Sequence, residues 1–188
     1  MTRVKIFLAV FLISLSPLGL ALELPKSPDN FSWVEAEEIK GAFLRPNGWH
    51  FKKAKQGDVQ GYFITKEDIE VSGNFVTGTT INVATAIPKK TGKSASEFAY
   101  SYIGQAADSG SIQKRPWNRS MGPFNSYGVV TLNRDRKSGD YITHHLAIAN
   151  GQTGTVYLVV FESPSDEWES AWAIGEEILS KLYIDSDI

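Results

Sequence analysis

The residues in this chain that could do chemistry are few, and their spacing decides between the chemistries open to them. Three histidines, His50, His144 and His145, are the side chains with which it could hold a metal or a small ligand. Adjacent residues on a strand point to opposite faces, so His144 and His145 cannot chelate one ion from a regular strand. His144 shares its face with Ile142, Leu146 and Ile148, which predicts a buried, hydrogen-bonded imidazole. His145 shares its face with Tyr141, Thr143 and Ala147, and His50 could join either only through the tertiary fold. The alternative reading of the chain, a small-ligand or metal-dependent protein, uses His50, His144 or His145 in a pocket between layers and needs two histidines and a carboxylate to converge there.

Other motifs are fragments. Thr91-Gly-Lys-Ser94 matches the tail of a phosphate-binding loop, but the full motif needs glycine five residues before Gly92, where Ile87 stands. Without that glycine the backbone cannot wrap its amides round a phosphate, and a basic turn with a helix cap explains the same residues. A Gly-x-Ser-x-Gly nucleophile elbow is absent. Glu67, Asp68 and Glu70 stand in a polar loop, where solvation is the default, rather than as a carboxylate pair across a cleft. Asn30-Phe-Ser32 and Asn118-Arg-Ser120 are glycosylation sequons that matter only in a eukaryotic secretory host.

What remains is a contact surface. Lys114, Arg115, Trp117 and Arg119 crowd one segment, and Arg134, Arg136 and Lys137 crowd a hairpin tip close by in sequence. Arginine and tryptophan are enriched at interface hot spots, so Lys114, Arg115, Trp117, Arg119, Arg134 and Arg136 are the candidate partner-binding residues. No catalytic residue, metal ligand set or cofactor is expected.

Composition narrows the classes further. Residues 1–21 read as a secretory signal peptide: Arg3 and Lys5 precede an apolar run, Pro17 breaks it, and Gly19-Leu-Ala21 offers small residues for cleavage near Ala21. The run is about half the length of a membrane span, so no integral membrane segment is expected after signal removal. The expected destination is secreted or periplasmic. Zero cysteines exclude disulfides, thiolate zinc sites, cysteine nucleophiles and lipid attachment at the new N-terminus. Without the signal, 17 basic residues face 21 acidic ones over 167 residues, which argues against a nucleic-acid partner. Aromatics at 12% and charges at 21% fit a packed domain rather than a disordered one.

The elements that must position these residues follow from periodicity. Residues 22–30, with two prolines, read as an extended arm, and 31–188 as one domain. Residues 31–44 are ambiguous, with a lean to strand at 42–45. Strands are expected at 49–53 and 60–65 as a hairpin, at 79–87 ending on Pro88, at 112–117 and 124–134, and as a second hairpin at 141–150 and 155–162. Residues 66–77 read as loop. A helix is expected over 95–107, opened by a Ser94/Glu97 capping box, and another over 166–182, striped by Trp168, Ala171, Trp172, Gly175, Ile178, Leu179 and Leu182. Val156 to Phe161 is unbroken apolar sequence, the pattern of a strand covered on both sides. The short turns predict an α+β fold with a largely antiparallel central sheet and helices on both faces, an α/β/α sandwich.

Pro46-Asn-Gly-Trp49, Tyr62-Phe-Ile-Thr-Lys-Glu67 and Gly73-Asn-Phe-Val-Thr-Gly-Thr-Thr-Ile-Asn-Val83 together resemble the start of PsbP-like domains. The order of elements resembles that family too, over 31–182. The resemblance implies the PsbP-like fold and a protein-binding role, since the family includes photosystem II subunits, a Ran-binding nuclear import factor and bacterial envelope proteins. It implies no catalytic residues. The chain lacks the chloroplast transit segment of the plant subunits and the lipidated cysteine usual in the cyanobacterial ones, which argues against a role in photosynthesis without deciding it. The sequence therefore predicts an exported, non-enzymatic module that binds a protein or envelope component.

Overall fold

The computed structural model describes residues 24–135 and 139–188, so the signal segment, the first two residues of the arm, Arg136 and Lys137 lie outside the described residues. Its centre is a seven-stranded antiparallel sheet. The chain first makes a separate two-stranded ribbon from β1 (Phe31–Ala36) and β2 (Gly41–Pro46), joined by a 3-10 turn at Glu37–Ile39. This resolves the ambiguous stretch as strand. It then lays down the meander β3 (His50–Gln56), β4 (Val59–Thr65) and β5 (Gly78–Ala84). After two helices the second meander runs β6 (Ser111–Met121), β7 (Phe124–Asp135), β8 (Gly139–Asn150) and β9 (Thr155–Pro164).

β9 closes the sheet by pairing with β5, giving the order β3-β4-β5-β9-β8-β7-β6. β6 is therefore an edge, with one side of its backbone paired to β7 and the other side without a strand among the described residues. β9 and β8 sit well inside the sheet, which suits the apolar run of β9.

Among the described residues four helices accompany the sheet: α1 (Ile69–Ser72), α2 (Ile87–Thr91), α3 (Ala95–Ser109) and α4 (Trp168–Ser180). The first two correct the sequence reading. The stretch expected to be loop holds α1, because the Asp68 carboxylate accepts a hydrogen bond from the Glu70 amide and starts a turn. The strand expected to end on Pro88 stops at Ala84, and Pro88 lies in the first turn of α2, where its missing N–H costs nothing. α3 carries the expected capping box in full: the Ser94 hydroxyl accepts from the Glu97 amide at 3.2 Å, and the Ser94 amide donates to the Glu97 carboxylate at 2.8 Å.

Two apolar clusters hold the elements. Ala95, Ala99, Ile103 and Ala106 of α3 pack with Val129, Ala147, Ala149 and Val156. Ile178 of α4 packs with Phe43, Leu44, Tyr62, Ile81, Leu146, Tyr157 and Val159. Neighbouring residues of β8 and β9 thus enter different clusters, as strand alternation requires. The small residues of α3 bring it close to the sheet, while the second cluster is filled by rings. Gly175 of α4 lies against Phe161, where an added Cβ would meet the ring at 2.8 Å. The ribbon is tied to the chain end: Ala42 and Tyr183 exchange both backbone hydrogen bonds, at 2.9 and 3.0 Å.

Candidate functional site

Four of the six candidate contact residues lie together on the edge strand β6. Lys114, Arg115 and Arg119 are exposed, and among the described residues none of them forms an ion pair. From Ser111 to Arg134 the sequence contains no aspartate or glutamate, so β6 faces solvent with positive charge only. The strand runs on to Met121, past Pro116, which an edge strand tolerates because one side of its backbone has no ladder to supply. Its register with β7 shifts between Ile112 and Lys114 and again between Lys114 and Trp117. Such bulges blunt an edge against self-association.

Trp117 behaves differently from its neighbours. It is half-buried opposite Gly128, and its indole fills the space a side chain at Gly128 would need, 2.4 Å from an ideal Cβ. The glycine is thus what lets the ring lie flat on the sheet. Arg134 is not part of the β6 group. It stands on β7 two residues beyond the partner of Ser111, and its guanidinium lies 3.9 Å from the Asp140 carboxylate. Arg136 falls outside the described residues.

The histidines separate as alternation predicts. His144 is 6% exposed and stacks on Trp172, with ring centroids 4.6 Å apart. Trp172 stacks in turn on Trp168 at 5.2 Å, and Trp117 lies 6.5 Å from the imidazole on another side. One feature departs from the expected hydrogen-bonded imidazole: Nδ1 of His144 meets no partner among the described residues. Burial holds its pKa down at about 4, with the positive charges of Lys114 and His145 pushing the same way. His145 enters the other cluster, where the Tyr102 hydroxyl lies 3.2 Å from its Nδ1. Burial alone lowers it to about 4. His50 is on β3, 3.7 Å from the Asp68 carboxylate. The three histidines do not converge, and no group of three or more potential metal ligands assembles among the described residues.

The remaining sequence motifs turn out to hold backbone. Thr91 closes α2 by donating to the Ile87 carbonyl at 2.9 Å, and Ser94 caps α3. The Glu67 carboxylate accepts from the amides of Val76 and Thr77 at 3.0 and 3.1 Å, pinning the loop before β5. Asp68 caps α1, and Glu70 lies 3.5 Å from Lys52.

Two groupings escaped the sequence reading. A hollow of about 220 Å³ is lined by Gln113, Lys114, Val130, His144, Trp168 and Trp172. A second, of about 290 Å³, lies between residues 74–76 and the end of the β8–β9 hairpin, where burial raises the pKa of Glu162. The helix stripe marked Trp168 and Trp172 as inward-facing, but nothing local in the sequence says which strand they reach.

No protein-family model matches this chain, and no curated protein matches it. Solved structures do. Cyanobacterial PsbP (CyanoP) from Synechocystis sp. PCC 6803 overlays with a TM-score of 0.52 over 90% of this chain and 100% of that one, at 13% identity. The fold is PsbP-like. A Bacteroides thetaiotaomicron VPI-5482 protein aligns with a TM-score of 0.45 over 77% of this chain and 45% of that one, at 13% identity. The Ran-binding protein Mog1p of Saccharomyces cerevisiae aligns at 0.47 over 82% of this chain and 95% of that one, also at 13% identity. No helix among the described residues is long and apolar enough to cross a membrane.

Proposed function

We propose that this chain is an exported, non-enzymatic accessory module that binds a protein or envelope component through the outer edge of β6. One observation carries the reading: among the described residues, Lys114, Arg115 and Arg119 lie on a strand whose outer side pairs with no other strand, and they have no ion-pair partners. Elsewhere several basic residues do have acidic neighbours, as Lys53 does with Glu38 and Lys66 with Glu167, although among the described residues Lys55 and Lys89 do not. A net acidic chain that leaves its edge strand purely basic steers an acidic partner to that edge.

Export is supported by the residue pattern of 1–21, and the layered sandwich with a helix on each face by the two separate clusters around β8 and β9. The absence of catalysis is supported by the roles found for the reactive groups. The loop carboxylates hold amides, Ser94 holds a helix end, and the histidines sit apart. Capture from an extract of the producing cell tests the proposal, using the mature chain and a K114E/R115E/R119E variant with the same melting temperature. The captured partner is expected to be lost on charge reversal; equal recovery by both proteins rules this edge out.

A further inference from the structure

We infer that the hollow between β6 and α4 is a binding site for a small planar aromatic acid. The inference stands on atoms other than those of the docking edge, apart from Lys114, and can fail alone.

Three observations combine. The first is shape and surface. Trp172 stacks on His144 at 4.6 Å and on Trp168 at 5.2 Å, so no ring fits between them, and the outer surfaces of this stack with Val130 line a space of about 220 Å³ beside it. A cavity of about 150 Å³ lined by aliphatic groups holds benzene, so one or two fused rings suit this volume. Ring faces offer offset stacking or edge-on contact to another ring.

The second is charge. Lys114 is the only charged residue lining the hollow, and it has no carboxylate partner among the described residues. Indole cages can also take organic cations. Here an ammonium at the rim opposes a cation and favours an anion.

The third is an unmet polar atom. His144 is buried to 6% exposure, it lines the hollow, and its Nδ1 has no partner among the described residues. A buried nitrogen left unpaired costs free energy that a ligand oxygen would recover. The chain thus presents an aromatic-lined hollow with a cation at its mouth and a polar atom in its wall, as small-ligand sites do. The carboxylate is assigned to Lys114 and the ring to Trp172 and Trp168.

Calorimetric titration of the mature chain with indole-3-acetate tests this, with 3-methylindole as the neutral match and choline as the cation. The expected result is one saturable site for the acid, with Kd on the order of 0.1–1 mM for a ligand of this size. Lys114 is exposed, so Lys114→Gln leaves the core intact; it is expected to weaken the acid by up to about fivefold and leave 3-methylindole unchanged. Trp172→Ala is expected to weaken both ligands, and His144→Gln, read alongside circular dichroism, separates loss of the site from loss of fold. The assignment is overturned by no saturable binding of the acid, by an acid-to-neutral ratio that Lys114→Gln does not change, or by tighter binding of choline. Saturation by an acidic, aromatic peptide but by no free acid also overturns it, and gives the hollow to a protein partner.

Discussion

Burying a histidine is costly in acid, and this chain buries His144 and partly buries His145. Their folded pKa values, about 4, lie below the ordinary value of about 6.5, so between those limits the unfolded chain binds protons that the native one does not. Stability contributed by the neutral rings is fully present above about pH 6.5 and is lost as the pH falls toward 4. For His144 the loss is up to about 3 kcal/mol. Glu162 acts in the opposite sense, because its raised pKa makes the native state hold a proton that the unfolded chain releases as pH rises. The expected outcome is that His144→Phe, which keeps a ring between Trp117 and Trp172, flattens the fall in urea-unfolding free energy between pH 7 and pH 4 relative to the parent chain. Parallel pH profiles for the two proteins would show that His144 titrates normally. That His144 and His145 part company was readable from strand alternation alone. Their neighbours were not: Trp172 is 28 positions from His144 in sequence, and only the packing of α4 brings the rings to 4.6 Å.

At the scale of elements, local chemistry set the helix starts. The Ser94 and Glu97 capping box fixed the beginning of α3 in sequence and in structure alike. Ser94→Ala is expected to lower the unfolding free energy by about 1 kcal/mol, a loss that thermal or urea denaturation resolves. An unchanged midpoint would mean that packing of Ala95, Ala99, Ile103 and Ala106 holds that end without its cap. Elements were misread where two signals competed. Ile87 continued the apolar alternation of β5, but Pro88 suits a first helical turn better than a strand end, and the helix prevailed. β6 was expected to end at Trp117 and instead runs four residues further, to Met121. An edge strand exposed on nearly every side chain carries no alternating pattern by which its end can be read.

At the scale of the molecule, the sequence shows consecutive hairpins but not how they join. The pairing of β5 with β9 links residues about 80 apart, and that single long-range contact is what makes β6 an edge. The resemblance in residues 46–83 supplied the fold where pairing rules alone could not. Placement of the contact residues also had to wait for topology: proximity in sequence suggested one basic patch, whereas the register puts Lys114, Arg115 and Arg119 along β6 and Arg134 beside Asp140 beyond its end.

The claim that this edge is where the chain meets its partner is tested most directly by site-specific photocrosslinking in the producing cell. A photoreactive residue replaces Arg115 on β6 in one protein and Lys55 on β3, at the opposite edge of the sheet, in another. The account predicts a discrete crosslinked protein from position 115 that is absent from position 55 and fades when Lys114 and Arg119 become glutamate. Crosslinks of equal yield from both edges, or a discrete adduct from position 55 alone, would contradict it.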